Sequence, residues 1–256
     1  MKDLFSIAGK VALVTGGSRG IGLMIARGFV ERGVRTYVSS RKAEVCERVA
    51  KELSASGTCL ALPADLGRTD EIARVARELG AREPALHLLV NNAGANWGAP
   101  LDEFPESGWD KVMDLNLKSA FFLTRDLLPL LRRAATPADP ARVIMIGSID
   151  GLHVPALDTY AYSASKAGLH HLTRVLARQL APEHVTVNAI APGPFESQMM
   201  AATLDRFRDA IERSCPRGRI GEPDDMVGAS VWLASRASAY TTGAVIPVDG
   251  GLSTCL

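Results

Sequence analysis

The run VALVTGGSRGIG at residues 11–22 decides how the rest of the chain is read. Its opening, Val11 to Thr15, is apolar, too short for a helix, and stops at glycines, which is the pattern of a strand buried on both faces. From Ile21 the period changes. Ile21, Met24, Ile25, Phe29 and Val30 share one helical face, and Gly33 ends the stripe. Gly16, Gly20 and Gly22 fall where the strand turns sharply into that helix. Without side chains, the backbone N–H groups and the positive helix end can approach a pyrophosphate. Glycines also serve ordinary turns; the flanking strand and helix are what give this one its reading as a dinucleotide-binding turn. Gly16, Ser18, Arg19, Gly20, Ile21 and Gly22 are therefore candidate cofactor contacts.

Outward from this turn the same alternation continues. A strand is expected at residues 34–39, a helix at 42–56, a strand ending at Asp65 and Leu66, a helix at 70–80, and a strand opening LHLLVNNAG at 86–94. A long helix at 108–133, the strand RVIMIGS at 142–148, a second long helix at 160–181 and the strand opening HVTVNAIAPG at 184–193 follow. The segment 194–219 breaks the rhythm, with a helical middle and polar ends. A helix at 222–235 and the strand AVIPVDGG at 244–251 close the chain. Seven strands alternating with about six helices imply a parallel sheet covered on both faces. With right-handed crossovers, the simplest topology is a doubly wound, Rossmann-type α/β fold. ATPADPA at 135–141 reads as a loop, so one domain over 1–256 is expected.

Composition narrows the class. The chain has 256 residues, is 47% hydrophobic, and carries 29 Lys plus Arg against 28 Asp plus Glu. It can bury a sizeable core, and a formal charge of +1 argues against nucleic-acid binding through bulk charge. No apolar run reaches the ~20 residues of a membrane helix. The start MKDLFSIAGK does not read as a secretory leader, and Cys46, Cys59, Cys215 and Cys255 are scattered without a CxxC pair. A cytoplasmic protein with no membrane partner is expected. The five histidines form no metal-ligand spacing.

At the end of the second strand an NAD-binding fold places a carboxylate for the ribose 2′-hydroxyl. Here that end reads Ser39-Ser40-Arg41-Lys42, and Arg41 stands 19 positions after Gly22. Ser40 and Arg41, with Arg19, suit a 2′-phosphate instead, which points to NADP (NADPH).

The remaining motifs are NNAG (91–94), Asn116, Ser148, YSASK (162–166), Pro192-Gly193 and the closing VDGG. With TGGSRGIG, and in this order, they make the chain resemble the short-chain dehydrogenase/reductases from Lys10 to Gly251. The chemistry fits the residue types. Reducing a carbonyl needs hydride at carbon and a proton at oxygen. Lys166 lies four residues after Tyr162, so both share a helix face, and its ammonium is expected to lower the phenol pKa from about 10. Tyr162 then donates the proton while Ser148 polarises the carbonyl oxygen. Tyr160 is a rival, but Ala164 stands where its lysine partner would be.

The resemblance implies more. Lys166 also binds the nicotinamide ribose, and Asn116 holds a water that relays protons to it. Asp65 and Leu66 meet adenine. Asn91, Asn92, Ala93 and Gly94 line the ribose side. Pro192, Gly193 and Ser197 flank the carboxamide, Ser197 standing where the family usually has threonine. Residues 194–219 form a substrate lid, with Phe195, Met199, Met200, Leu204 and Phe207, plus Trp97 and Leu152, as apolar contacts.

These features are most similar to 3-oxoacyl reductases acting on an acyl-thioester or other small-molecule substrate. Arg125, Arg132, Arg133 and Arg174 could form a basic surface for a carrier protein, while Glu183 argues against it. An alcohol or polyol dehydrogenase, a broad carbonyl reductase, and a binding protein that has lost its chemistry are the alternatives. A homotetramer is implied by the resemblance.

Overall fold

The computed structural model describes residues 3–255. Seven parallel strands, β1 (Val11–Thr15), β2 (Arg35–Ser39), β3 (Cys59–Ala61), β4 (Leu88–Asn91), β5 (Ala141–Ile146), β6 (Val185–Pro192) and β7 (Val245–Val248), form one sheet. Their order is β3-β2-β1-β4-β5-β6-β7. The chain crosses from one half of the sheet to the other between β1 and β4, and that reversal opens a crevice at the carboxyl ends of the strands.

Eight helices cover the sheet: α1 (Gly20–Val30), α2 (Ala43–Leu53), α3 (Thr69–Arg82), α4 (Glu106–Met113), α5 (Ser119–Ala134), α6 (Tyr160–Leu180), α7 (Ala201–Ser214) and α8 (Pro223–Ala234). On one face Ile25 and Phe29 of α1 and Met226 and Leu233 of α8 pack with Val14, Val90 and Ile144. On the other, Leu79 of α3, Leu127 of α5 and Leu169 of α6 pack with Leu13, Leu89 and Val143. Each fully buried Leu, Ile or Phe is worth about 1.5–3 kcal/mol of transfer free energy, so the two layers hold the sheet rigid beneath the crevice. α1 and α8 approach closely because Gly28 has no side chain; a Cβ there would lie 2.6 Å from Val227.

Three expectations change. β3 ends at Ala61, so Asp65 and Leu66 sit in the following loop. Leu62 and Ala64 still donate to Val38 and Ser40 beyond the strand's end. The helix expected at 108–133 is α4 and α5 joined by a wide π-type turn, Asp114–Lys118, with Asn116 inside it. Such turns insert one residue into a helix and redirect its side chains. The segment at 194–219 contains α7, which supplies the helical middle and raises the helix count. Among the described residues no helix is long and apolar enough to cross a membrane.

Candidate active site and cofactor cradle

The tips of β1 and β4 are knotted together. Thr15 Oγ1 accepts the N–H groups of Asn92 and Ala93, both at 2.9 Å, and donates to the Val90 carbonyl at 3.1 Å. Asn92 Nδ2 donates to the Thr15 carbonyl at 2.8 Å, so its side chain braces the glycine turn. Gly16 and Gly20 have φ of 63° and 52°, in the left-handed region. A Cβ at Gly22 would stand 2.4 Å from both Asn92 Nδ2 and the Gly16 carbonyl oxygen. The turn therefore admits only glycine at that point.

α1 begins here with no side-chain cap and no acidic residue in its first turn. Its N–H groups, with Ser18 and Ile21, face the crevice end of the sheet, an arrangement that can take an anionic pyrophosphate. At the tip of β2 the Ser39 and Ser40 hydroxyls are buried without a hydrogen-bond partner, and Arg41 beyond them is exposed. These are groups suited to a phosphate on the ribose. Asn91 is different: it is buried in β4 and donates to Thr124 Oγ1 at 3.1 Å, a core contact instead of a ribose-side one. Gly94 is held against Asn116, where a Cβ would lie 3.3 Å from Oδ1.

Ser148 follows β5 and caps the short turn Ile149–Gly151, its Oγ accepting the Asp150 N–H at 3.1 Å. Tyr162 and Lys166 occupy the first turns of α6, the lysine Nζ 5.5 Å from the phenol ring centroid. Lys166 is 4% exposed and donates to the Ile146 carbonyl at 2.7 Å. Burial pushes the Tyr162 phenol up to about 12; the Ser148 hydroxyl draws it down and Asp150 pushes it further up. Burial brings Lys166 down to about 8, against the pull of Asp150. The expected lowering of the phenol is thus reversed, because burial dominates and the ammonium is aimed at a carbonyl. Tyr160 is engaged elsewhere, donating to Asp158 at 3.0 Å.

Asn116 has a structural job that spacing does not show. Its Oδ1 accepts the Ala95 N–H at 2.8 Å, and its Nδ2 donates to the Ala95 carbonyl and to Ser165 Oγ, both at 3.0 Å. It ties the loop after β4 to α6 beside Lys166.

The segment at 194–219 is fastened at both ends. Phe195 is 2% exposed and bridges to Gly221, so it belongs to the core and is not a substrate contact. Leu204 is also buried, whereas Met199 and Phe207 are exposed. Ser197 Oγ accepts the Met200 N–H at 3.2 Å, and its Cβ would lie 3.2 Å from one on Gly20. Pro192 ends β6, and Gly193 packs on Asp249. Arg19 donates to Gln198 of this segment, an unexpected contact. Spacing does not point to Asp150 beside Ser148 or to the buried His170 ring packed against Gly147 and Gly151. The glycines on either side of Ser148 are the signal that another element packs there.

The family model described as enoyl-(acyl carrier protein) reductase matches residues 16–253. The chain belongs to the short-chain dehydrogenase/reductase family. Among relatives in this family, a rhamnolipids biosynthesis 3-oxoacyl-[acyl-carrier-protein] reductase of Pseudomonas aeruginosa is 50% identical over 98% of this chain and 99% of its own length. A gluconate 5-dehydrogenase of Gluconobacter oxydans is 33% identical over 99% of this chain and 98% of its own. Among solved structures, a Pseudomonas aeruginosa RhlG/NADP active-site complex superposes with a TM-score of 0.95 at 49% identity, covering 99% of this chain and 100% of that one.

Proposed function

We propose that this short-chain dehydrogenase/reductase is an NADPH-dependent ketoreductase that converts a 3-oxoacyl thioester to its 3-hydroxyacyl counterpart. The observation that carries the reading is the meeting of Ser148, Tyr162 and Lys166 at one buried point beyond β5, beside the glycine cradle. NADPH supplies the hydride when bound. Gly16, Ser18, Gly20, Ile21 and Gly22 hold its pyrophosphate, and Arg19, Ser40 and Arg41 its 2′-phosphate. Asp65, Leu66, Asn92, Ala93, Gly94, Pro192, Gly193 and Ser197 line the rest.

The Tyr162 and Ser148 hydroxyls donate to the substrate carbonyl oxygen, and the tyrosine proton moves to that oxygen as it becomes an alkoxide. A phenol at about 12 is protonated at neutral pH, the form this direction requires. Lys166, beneath it, is placed to restore the proton. Asn116 acts by holding Ala95 and Ser165 in register with it.

The thioester reading is supported by the half-identical Pseudomonas reductase and by the apolar lid residues left exposed, Met199 and Phe207. The carrier half of that substrate has less support. Arg132 is paired with Glu183 at 2.8 Å, and Arg125 with Asp126 at 2.7 Å. Exposed Trp109 of α4, Phe121 of α5 and Val175 of α6 support a homotetramer built through these helices. One domain with a lid at 194–219, in the cytoplasm, completes the reading.

Initial rates with acetoacetyl-CoA, a simple aromatic ketone and gluconate, each with NADP(H) and NAD(H), test it. Fast thioester reduction with NADPH is expected. Y162F should cost about 10²–10⁴-fold in kcat and leave NADPH binding within about twofold. Turnover of gluconate alone would replace the reading with the polyol dehydrogenase.

A further inference from the structure

Asp150 sits two residues beyond Ser148, in the turn Ile149–Gly151, with its backbone N–H on Ser148 Oγ. The turn packs closely on α6. A Cβ on Gly151 would lie 2.7 Å from the Lys166 carbonyl carbon, 2.8 Å from the Ala167 nitrogen and 2.9 Å from the His170 ring. The carboxylate has no cation within ion-pair distance among the described residues, since Lys166 donates to Ile146 instead. It is half-buried and within Coulombic reach of the Tyr162 phenol and the Lys166 ammonium. The other titratable groups around it are His153 from the following loop and His170 from α6; β6, the other element behind the turn, carries none.

We propose that Asp150 is a positioning residue that extends carbonyl reduction to higher pH, its charge holding the proton on Tyr162 and the ammonium state of Lys166. This rests on the ketoreductase reading for its consequence, though not for its test. Burial raises the Asp150 carboxyl itself, with His153 and Lys166 drawing it back down. A neighbouring unit charge in a partly buried site is worth on the order of one pH unit.

Two measurements on the full-length enzyme test this. The first needs no substrate: the titration midpoint of Lys166 followed by NMR of its labelled ε-carbon, assigned with K166M. The wild-type midpoint is expected at about 8. D150N, which keeps the backbone bond to Ser148, should lower it by about one unit, and D150E should restore it. D150A gives the same reading if the amide does not fold. The second is the pH profile of kcat/KM for reduction, whose alkaline limb should move down by about the same amount in D150N and return in D150E. A lysine midpoint that stays in place, or falls equally in D150E, overturns the proposal. Y162F loss of turnover with an unmoved midpoint would leave the ketoreductase standing and Asp150 without this role. A moved midpoint with no ketone reduced would do the reverse.

Discussion

Lys10, Asp139 and Arg142 gather at the amino ends of β1 and β5; Lys166, Asp150 and Tyr162 gather at the carboxyl end of the same β5. The side-chain types are nearly the same, and the bonding is not. Lys10 grips both oxygens of Asp139, at 2.8 and 2.9 Å. Arg142, 1% exposed, shares that carboxylate and donates to the Ser235 carbonyl at 2.7 Å. Nearby, Glu83 accepts from both Arg35 and Tyr37. At the other end Lys166 has only a carbonyl, Asp150 has no cation, and the Ser39 and Ser40 hydroxyls have no partner. Charges at the amino ends are paired with Asp139, although burial still lowers Lys10 and Arg142 and Arg142 Nε has no partner; those at the carboxyl ends lack an opposite charge and are kept for chemistry.

The sharpest way to break this contrast is K166M. Turnover should fall by about 10³-fold, the scale of a lost acid–base group. Stability should move the opposite way. The folded lysine titrates at about 8, below its ordinary 10.5, so the folded state disfavours the charge it carries at pH 7. That penalty is complete below pH 8 and fades as the pH rises toward 10.5. At 1.36 kcal/mol per unit it is about 3 kcal/mol, offset in part by the lost bond to Ile146, leaving a gain of about 1–2 kcal/mol. Urea denaturation at pH 7 and pH 10 measures it. A destabilised variant would mean that the lysine is structural and the two ends alike.

D139A is the converse. It strands Lys10 and the buried Arg142, and should cost about 3 kcal/mol with kcat within about twofold of wild type. Burial pushes the Asp139 carboxyl up, but hydrogen bonds from Lys10 and Arg142 more than reverse this and leave it below its ordinary value. Such a depressed carboxylate contributes stability above the unfolded value of about 3.9, and loses it as the pH falls below. Acid unfolding followed by circular dichroism should show that limb in wild type and its reduction in D139A. Loss of turnover in a folded D139A would erase the division of labour.

How much of this the sequence reveals depends on how local each contact is. The strand–glycine–helix turn, the seven-strand alternation and the one-turn spacing of Tyr162 and Lys166 are written in short-range periodicity, and the fold follows from them. The π turn at Asn116 is not, because it exists to aim one amide at Ala95 and Ser165, on separate elements. Nor is the burial of Phe195, an apolar side chain in a polar segment, whose environment depends on Gly221 closing the lid from the far side. The direction of the Tyr162 shift escapes spacing for a related reason. Spacing places an ammonium near a phenol, but only the packed structure shows that it points at Ile146 and that burial outweighs it.

The smallest effect expected tests the longest-range contact. Arg19 of the glycine turn donates to Gln198, 179 residues away in the segment at 194–219, and so is partly spoken for before any 2′-phosphate arrives. Because the pair is exposed, releasing it is worth only ~0.5–1 kcal/mol. Q198A should therefore tighten NADPH about two- to fivefold, read by fluorescence titration of the cofactor. NADH, which lacks the phosphate, should bind as before. Equal tightening of both cofactors would place the effect in the lid and remove Arg19 from the phosphate site. Tightening of NADPH alone would show that this arginine is shared between holding Gln198 and reading the cofactor.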